Sequence, residues 1–127
     1  MNLEEIERFA KEHPQSECYK SKIPGVKFLH ESRLNVILNL ISKVVNMLRN
    51  HSGYVKLIDV GCGEGYVLKA IINNFPGFYL IGIDISETRL RRAKESLKLL
   101  PSVEFVLADA QKCHLEVGLL ILLFVQR

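Results

Sequence analysis

The chain is poor in the features that mark a secreted, membrane-embedded or metal-built protein. Its cysteines number only three, Cys18, Cys62 and Cys113. An odd, widely spaced set is not a disulfide framework; it suits a reducing compartment, so a cytoplasmic location is expected. His13, Cys18, Cys113 and His114 have no recognisable metal-ligand spacing, and no metal is expected. The excess of one charge sign is small too: a net charge of +3 does not by itself indicate nucleic acid as a partner. The long apolar stretch at 117–125 falls far short of the roughly 20 residues that cross a bilayer, so no membrane partner is expected. The first residues carry Glu4, Glu5 and Glu7 and lack an apolar core, so they do not read as a signal peptide. What remains is a chain of 127 residues, enough for one domain with a real core.

The richest stretch is residues 56–65, K-L-I-D-V-G-C-G-E-G. Leu57, Ile58 and Val60 read as a buried parallel strand. Gly61, Gly63 and Gly65 then allow a sharp bend and a close approach to a ligand, where any Cβ would collide. The following helix offers unpaired N–H groups at its start. Cys62 fills the turn as a small residue.

The spacing discriminates between ligands. Dinucleotide-binding turns read G-x-G-x-x-G. Three residues after Gly63 stands Tyr66, whereas the third glycine comes early, at Gly65, and an acid, Asp59, precedes the first glycine by two. This D-x-G-x-G-x-G pattern resembles motif I of the class I S-adenosylmethionine-dependent methyltransferases, type 11-like members included. In that family the loop wraps the methionine end of the cofactor, which carries a carboxylate, an ammonium and a sulfonium but no phosphate. The resemblance therefore implies S-adenosylmethionine as cofactor, with Asp59, Gly61, Cys62, Gly63 and Gly65 around its methionine moiety. An acid beside the loop suits a cation and would repel a pyrophosphate. The alternatives are a tight strand–helix turn that binds nothing, and an NAD-type module.

Two further segments fall in family order. Residues 79–84, Y-L-I-G-I-D, form a second apolar strand ending in Asp84, which lies 21 residues after Gly63. That is near the offset at which a carboxylate takes ribose hydroxyls in nucleoside-binding α/β folds. By resemblance Asp84 holds the ribose and Ile85 packs on the adenine. The plainer role for Asp84, capping the next helix, already suits Ser86 in S-E-T-R. In residues 103–110, V-E-F-V-L-A-D-A, alternation puts Val103, Phe105 and Leu107 on one face. Asp109 there matches the family acid that accepts from the adenine amino group, and Ala108 and Ala110 would supply backbone contacts.

Around these strands, residues 2–12 predict a short helix, 13–27 a loop punctuated by Pro14 and Pro24-Gly25, and 29–50 a long helix. Leu34, Ile37, Leu38, Ile41, Val44, Val45 and Leu48 form its packing stripe, with Arg33, Asn39, Lys43 and Arg49 on other faces. Helices near 64–75 and 87–99 end at Pro76-Gly77 and Pro101. The basic run Arg89, Arg91, Arg92, Lys94 and Lys98 reads as solvated helix surface. Strand–helix alternation at this interval specifies an α/β fold: a Rossmann-like parallel sheet flanked by helices, the N-terminal half of a class I methyltransferase fold. The expected division is a helical cap over 1–52 and a partial cofactor-binding domain over 53–127. In the family the N-terminal helices also close over the cofactor, so by resemblance Tyr19, Lys20, Phe28 and His30 border the site.

The C-terminal stretch departs from the family. An acidic turn and an F-D-x-x-x-x strand usually follow the third strand; here Gln111-Lys112 leads into C-H-L-E-V-G-L-L-I-L-L-F-V-Q-R. Residues 117–125 suit a fourth strand. Read in the neighbouring frame, residues 113–127 can encode L-P-F-G-G-G-T-F-D-I-I-I-C-S-E, which resembles the family passage. A frameshift after the third strand is therefore one reading; a natural short chain whose strand closes the sheet or meets a partner is the other. No residue is recognisable as a general base, so catalytic residues stay unassigned. The expected activity is methyl transfer to an unspecified acceptor, a small molecule before any other, with a cofactor-binding remnant as alternative. An apolar edge at 119–124 predicts self-association.

Overall fold

In a computed structural model of the protein, residues 1–48, 56–112 and 120–124 are described. The element order is α1 (Leu3–Glu12), α2 (Gln15–Tyr19), α3 (Pro24–Met47), β1 (Lys56–Val60), α4 (Tyr66–Asn74), β2 (Tyr79–Asp84), α5 (Glu87–Leu97), β3 (Val103–Leu107) and β4 (Leu120–Phe124). The strands form one parallel sheet in the order β3-β2-β1-β4. Val60 pairs with Ile83, and Asp84 with Leu107, so the carboxyl ends of β1, β2 and β3 lie side by side.

Alternation along the strands divides the apolar residues between two faces. Leu57, Leu80, Val103 and Phe105 join α3, α4 and α5 in the main core through Ile37, Ile41, Val67, Leu68, Ile71, Leu90 and Leu97. Ile58, Val60 and Ile83 form a separate cluster with Ile81 and Ala108 on the other face. Each fully buried leucine in the main core, such as Leu57 or Leu80, contributes roughly 1.5–3 kcal/mol by leaving water. Gly82 marks where the layers approach most closely: a Cβ there would stand 2.8 Å from both Cys62 Sγ and Leu68 Cδ1.

Several expectations need correction. The stretch 13–27, expected to be a loop, contains α2, and the long helix begins five residues earlier than expected, at Pro24. Pro24 is not a turn residue but the first helical residue, where its fixed φ is preorganised and its missing N–H has no helical partner to lose. In α3, Ile37 and Ile41 are buried as the stripe predicts, but Leu29, Val36, Leu40 and Met47 are exposed on other faces. Leu107, at the carboxyl end of β3, is 55% exposed and does not join the core that takes up Val103 and Phe105.

The fourth strand exists, shorter than expected, and pairs in parallel with β1 from Lys56–Leu120 to Val60–Phe124. The cap boundary at 52/53 lies outside the described residues, as do Cys113, His114 and most of the 113–127 stretch on which the frameshift reading rests. Among the described residues no helix is long and apolar enough to cross a membrane, and no cluster of metal-ligating side chains occurs.

Candidate cofactor site

The glycine-rich loop is shaped by three left-handed residues: Gly61, Gly63 and Gly65 have φ of 76°, 56° and 79°. For any residue with a Cβ this conformation costs roughly 1–2 kcal/mol. Among the described residues these are the only ones with positive φ, so the sequence spends its conformational freedom in one place. The loop folds back over β2: the amides of Gly61 and Cys62 donate to the Ile83 carbonyl at 2.7 and 3.0 Å. Gly65 then caps α4 and faces α5, with a hypothetical Cβ 3.1 Å from Leu97 Cδ1.

Asp84 joins the three loops. Its Oδ2 accepts from the Gly63 amide at 2.8 Å and its Oδ1 from the Ser86 amide at 2.9 Å. Its backbone carbonyl accepts from the Ala108 amide at 3.0 Å, one residue before Asp109. Ser86 is the N-cap of α5, as its sequence position predicts, accepting from the Arg89 amide at 3.2 Å. Asp84 is 6% exposed, so it is not a solvated acid. Two of about four acceptor sites on its carboxylate are taken, which leaves capacity for two vicinal hydroxyls. Ile85 next to it is 36% exposed, although it follows a buried strand. It lines a cleft of about 670 Å³ whose other walls include Ile6, Phe9, His13, Pro14 and Arg89.

The remaining expected residues divide by depth. Asp109 is half-buried; its Oδ1 accepts from the Gln111 amide at 3.0 Å and its Oδ2 stands 3.6 Å from Lys112 Nζ. Ala110 beside it is exposed. Asp59 is fully buried within β1, opposite Gly82 in register. Cys62 is also fully buried and belongs to the main core, its Sγ donating to the Gly63 carbonyl at 3.7 Å; its side chain packs beneath the loop.

Sequence reasoning overlooked the residues that attach the N-terminal helices to this loop. Glu64 is 6% exposed and pairs with Arg92 Nη1 at 3.0 Å. Arg92 is thus not part of a solvated basic surface, whereas Arg91, Lys94 and Lys98 are exposed as expected. Glu7 accepts from the Thr88 amide at 3.3 Å at the start of α5. Burial raises the Glu7 carboxyl, but hydrogen bonds from the Thr88 and Ser86 side chains and the Glu87 and Thr88 backbone outweigh it and hold the group below its ordinary value. Tyr19 borders the loop by stacking on Tyr66 at 4.2 Å with the rings almost parallel, and its hydroxyl accepts from Arg33 at 2.6 Å. Burial, and then the charge of Glu64, raise the Tyr66 phenol. The clue to Glu64 was a single acid in a loop otherwise made of small residues; Arg92 gave no clue within a run of like charges.

The sequence matches the family described as a methyltransferase domain over residues 57–124, more than half of the chain. The chain belongs to this family, and its fold is that of the class I S-adenosylmethionine-dependent methyltransferases. Among curated relatives, it is 35% identical over 77 residues to a trans-aconitate 2-methyltransferase of Acidovorax ebreus (strain TPSY), covering 61% of this chain and 27% of the relative. It is 29% identical over 56 residues to a malonyl-(acyl-carrier protein) O-methyltransferase of Halalkalibacterium halodurans, covering 44% of this chain and 21% of that one. The chain spans about a quarter of the length of the curated relatives it matches. Among solved structures, monomeric WbdD superposes with a TM-score of 0.52 at 19% identity, over 61% of this chain and 18% of that one. Coclaurine N-methyltransferase, solved with N-methylheliamine and SAH, gives a TM-score of 0.50 at 18% identity, over 65% and 24%. These two likenesses concern the fold.

Proposed function

We propose that this chain binds S-adenosylmethionine across the carboxyl ends of β1, β2 and β3 and forms the donor-binding part of a methyltransferase acting on a small molecule. The single observation behind this reading is Asp84, whose side chain meets the glycine loop and whose carbonyl meets the loop carrying Asp109. Gly61 and Gly63 leave space for the methionine moiety, Gly65 closes the loop against α5, and Asp59 is buried at the base of the loop. Cys62 fixes the loop from below. Asp84 accepts from the ribose hydroxyls, Ile85 covers one face of the adenine, and Asp109 and Ala110 meet its amino edge. The bound cofactor supplies a methyl group already activated by a sulfonium. The work of the chain is orientation and the exclusion of water.

The acceptor reading favours a carboxylic acid. The curated relatives are named for trans-aconitate and for a malonyl group, both of which carry carboxylates. A carboxylate is already ionised at neutral pH, so its methylation needs no general base. The free thiol chemistry and charge of the chain fit a cytoplasmic setting. The test is transfer from methyl-labelled donor to a panel of di- and tricarboxylic acids, beside amines and phenols of similar size. Base-labile methyl esters formed from the acids support the reading; label appearing only in amines or phenols would refute the acceptor class.

A further inference from the structure

One buried carboxylate, Glu64, fastens the N-terminal helices to the glycine-rich loop. Its Oε1 accepts from the Gln15 amide and from Arg92 Nη1, both at 3.0 Å, and its Oε2 accepts from the Ser16 amide at 3.3 Å. In return the Glu64 amide donates to Gln15 Oε1 at 2.9 Å. Arg92 reaches past Glu64 to the end of α1, donating to the carbonyls of Ala10 at 2.7 Å and Lys11 at 3.4 Å. The guanidinium thus satisfies carbonyls that the end of α1 leaves unpaired, and the carboxylate satisfies amides at the start of α2. The Glu64 carboxylate is buried while Arg92 keeps partial contact with water, so losing the pairing would leave a buried carboxylate short of a partner.

The position of this cluster gives it a further role. Glu64 follows Gly63, whose amide is held by Asp84. The strap and the expected ribose ligand therefore bear on neighbouring peptides of one loop. The same strap supplies Ile6, Phe9, His13 and Pro14 to the cleft that contains Ile85. A molecule lying against Ile85 is enclosed by the strap for as long as the Glu64 cluster is intact.

We propose that Glu64, Gln15 and Arg92 form a latch that positions the strap α1–α2 over the donor and sets how long the donor stays bound. This inference rests on the donor-binding reading above. Closing the latch and binding the donor are coupled: each holds the loop in the conformation the other needs. Because hydrogen bonds to charged groups are among the stronger ones, opening the latch is expected to speed donor release by roughly ten-fold or more, with little change in the association rate.

The experiment uses the full chain and follows S-adenosylhomocysteine release by rapid displacement, together with hydrogen exchange at the Gln15, Ser16 and Glu64 amides. In the unaltered protein, ligand should slow exchange at these three amides. Glu64→Gln should abolish that slowing and accelerate release. Gln15→Ala, a change on the strap that leaves the loop sequence intact, should do the same to a smaller degree if Glu64→Gln does not fold. Should the unaltered chain bind the ligand while exchange at these amides and the release rates of both variants stay unchanged, the latch is refuted and donor binding stands. If the unaltered, folded chain binds no ligand, donor binding itself is refuted, and the latch with it.

Discussion

The carboxylate of Asp84 accepts a hydrogen bond from the amide of Gly63 at 2.8 Å, across 21 residues of sequence. This bond ties the end of β2 to the left-handed loop after β1. Asp84 is therefore both part of the architecture of the loop and the candidate ligand of the ribose. The two roles are compatible because its carboxylate keeps acceptor capacity beyond the two backbone amides.

Replacing Asp84 by Asn should separate these roles only partly. The amide nitrogen would face the Gly63 or the Ser86 N–H, leaving a buried donor against a donor, at a cost of roughly 1–3 kcal/mol. Thermal unfolding should show this loss, and calorimetric titration should show donor affinity reduced by about ten-fold or more, as expected for a lost charged acceptor.

Two glycine substitutions should destabilise for different reasons. Gly65→Ala imposes a left-handed φ of 79° on a residue with a Cβ, which would also lie 3.1 Å from Leu97 Cδ1. Gly82→Ala carries no such backbone penalty but places its Cβ 2.8 Å from Cys62 Sγ and Leu68 Cδ1. Each is expected to lower stability by about 1–3 kcal/mol in denaturant unfolding. Trimming Leu97 should relieve only part of the Gly65→Ala defect, since the backbone term remains.

Glu7 makes the attachment of α1 dependent on pH. Its carboxyl lies below the ordinary value of 4.5 in the folded chain, so folding favours the charged form. Its contribution is fully present above the ordinary value and is lost as pH falls through the lowered one. Glu7→Gln should therefore be less stable than the unaltered chain near neutral pH, by the ~1 kcal/mol typical of a helix cap, and the two should converge in acid. Melting temperatures measured from neutral pH into the acid range check this sign.

Asp109→Ala should weaken donor binding as Asp84→Asn does, but without the loss of stability. Asp109 is 31% exposed, and among the described residues its side chain meets Gln111 and Lys112, both local. Stability should change by no more than about 0.5 kcal/mol, as for most exposed sites. Donor affinity should fall, and a donor analogue lacking the adenine amino group should lose little further affinity in this variant.

The strands were legible because their chemistry is local. The bounds of β1 and β2 follow from apolar runs that end in glycine or aspartate, and the left-handed loop follows from three glycines in five residues. Family resemblance singled out Asp84 and Asp109, and the sheet brings the loops that carry them together. What could not be read was tertiary. Pro24-Gly25 looks like a turn unless the helix beyond it is known to begin there. Arg92 looks solvated until α1 is known to end above it, and Glu64 looks incidental until α2 is known to start against it. Leu107 follows the alternation of Val103 and Phe105, but how far along β3 the packed helices reach is a tertiary matter that alternation does not encode.

The central claim is that the loop at 61–65 and the carboxylates of Asp84 and Asp109 form one site for a sulfonium nucleoside. It is tested most directly by calorimetric titration of the folded chain with S-adenosylhomocysteine, beside NAD as the phosphate-bearing comparison. The expected result is saturable, one-to-one heat with S-adenosylhomocysteine that Asp84→Asn weakens, and none with NAD. Saturable binding of NAD, or no heat from S-adenosylhomocysteine on material shown to be folded, would contradict it.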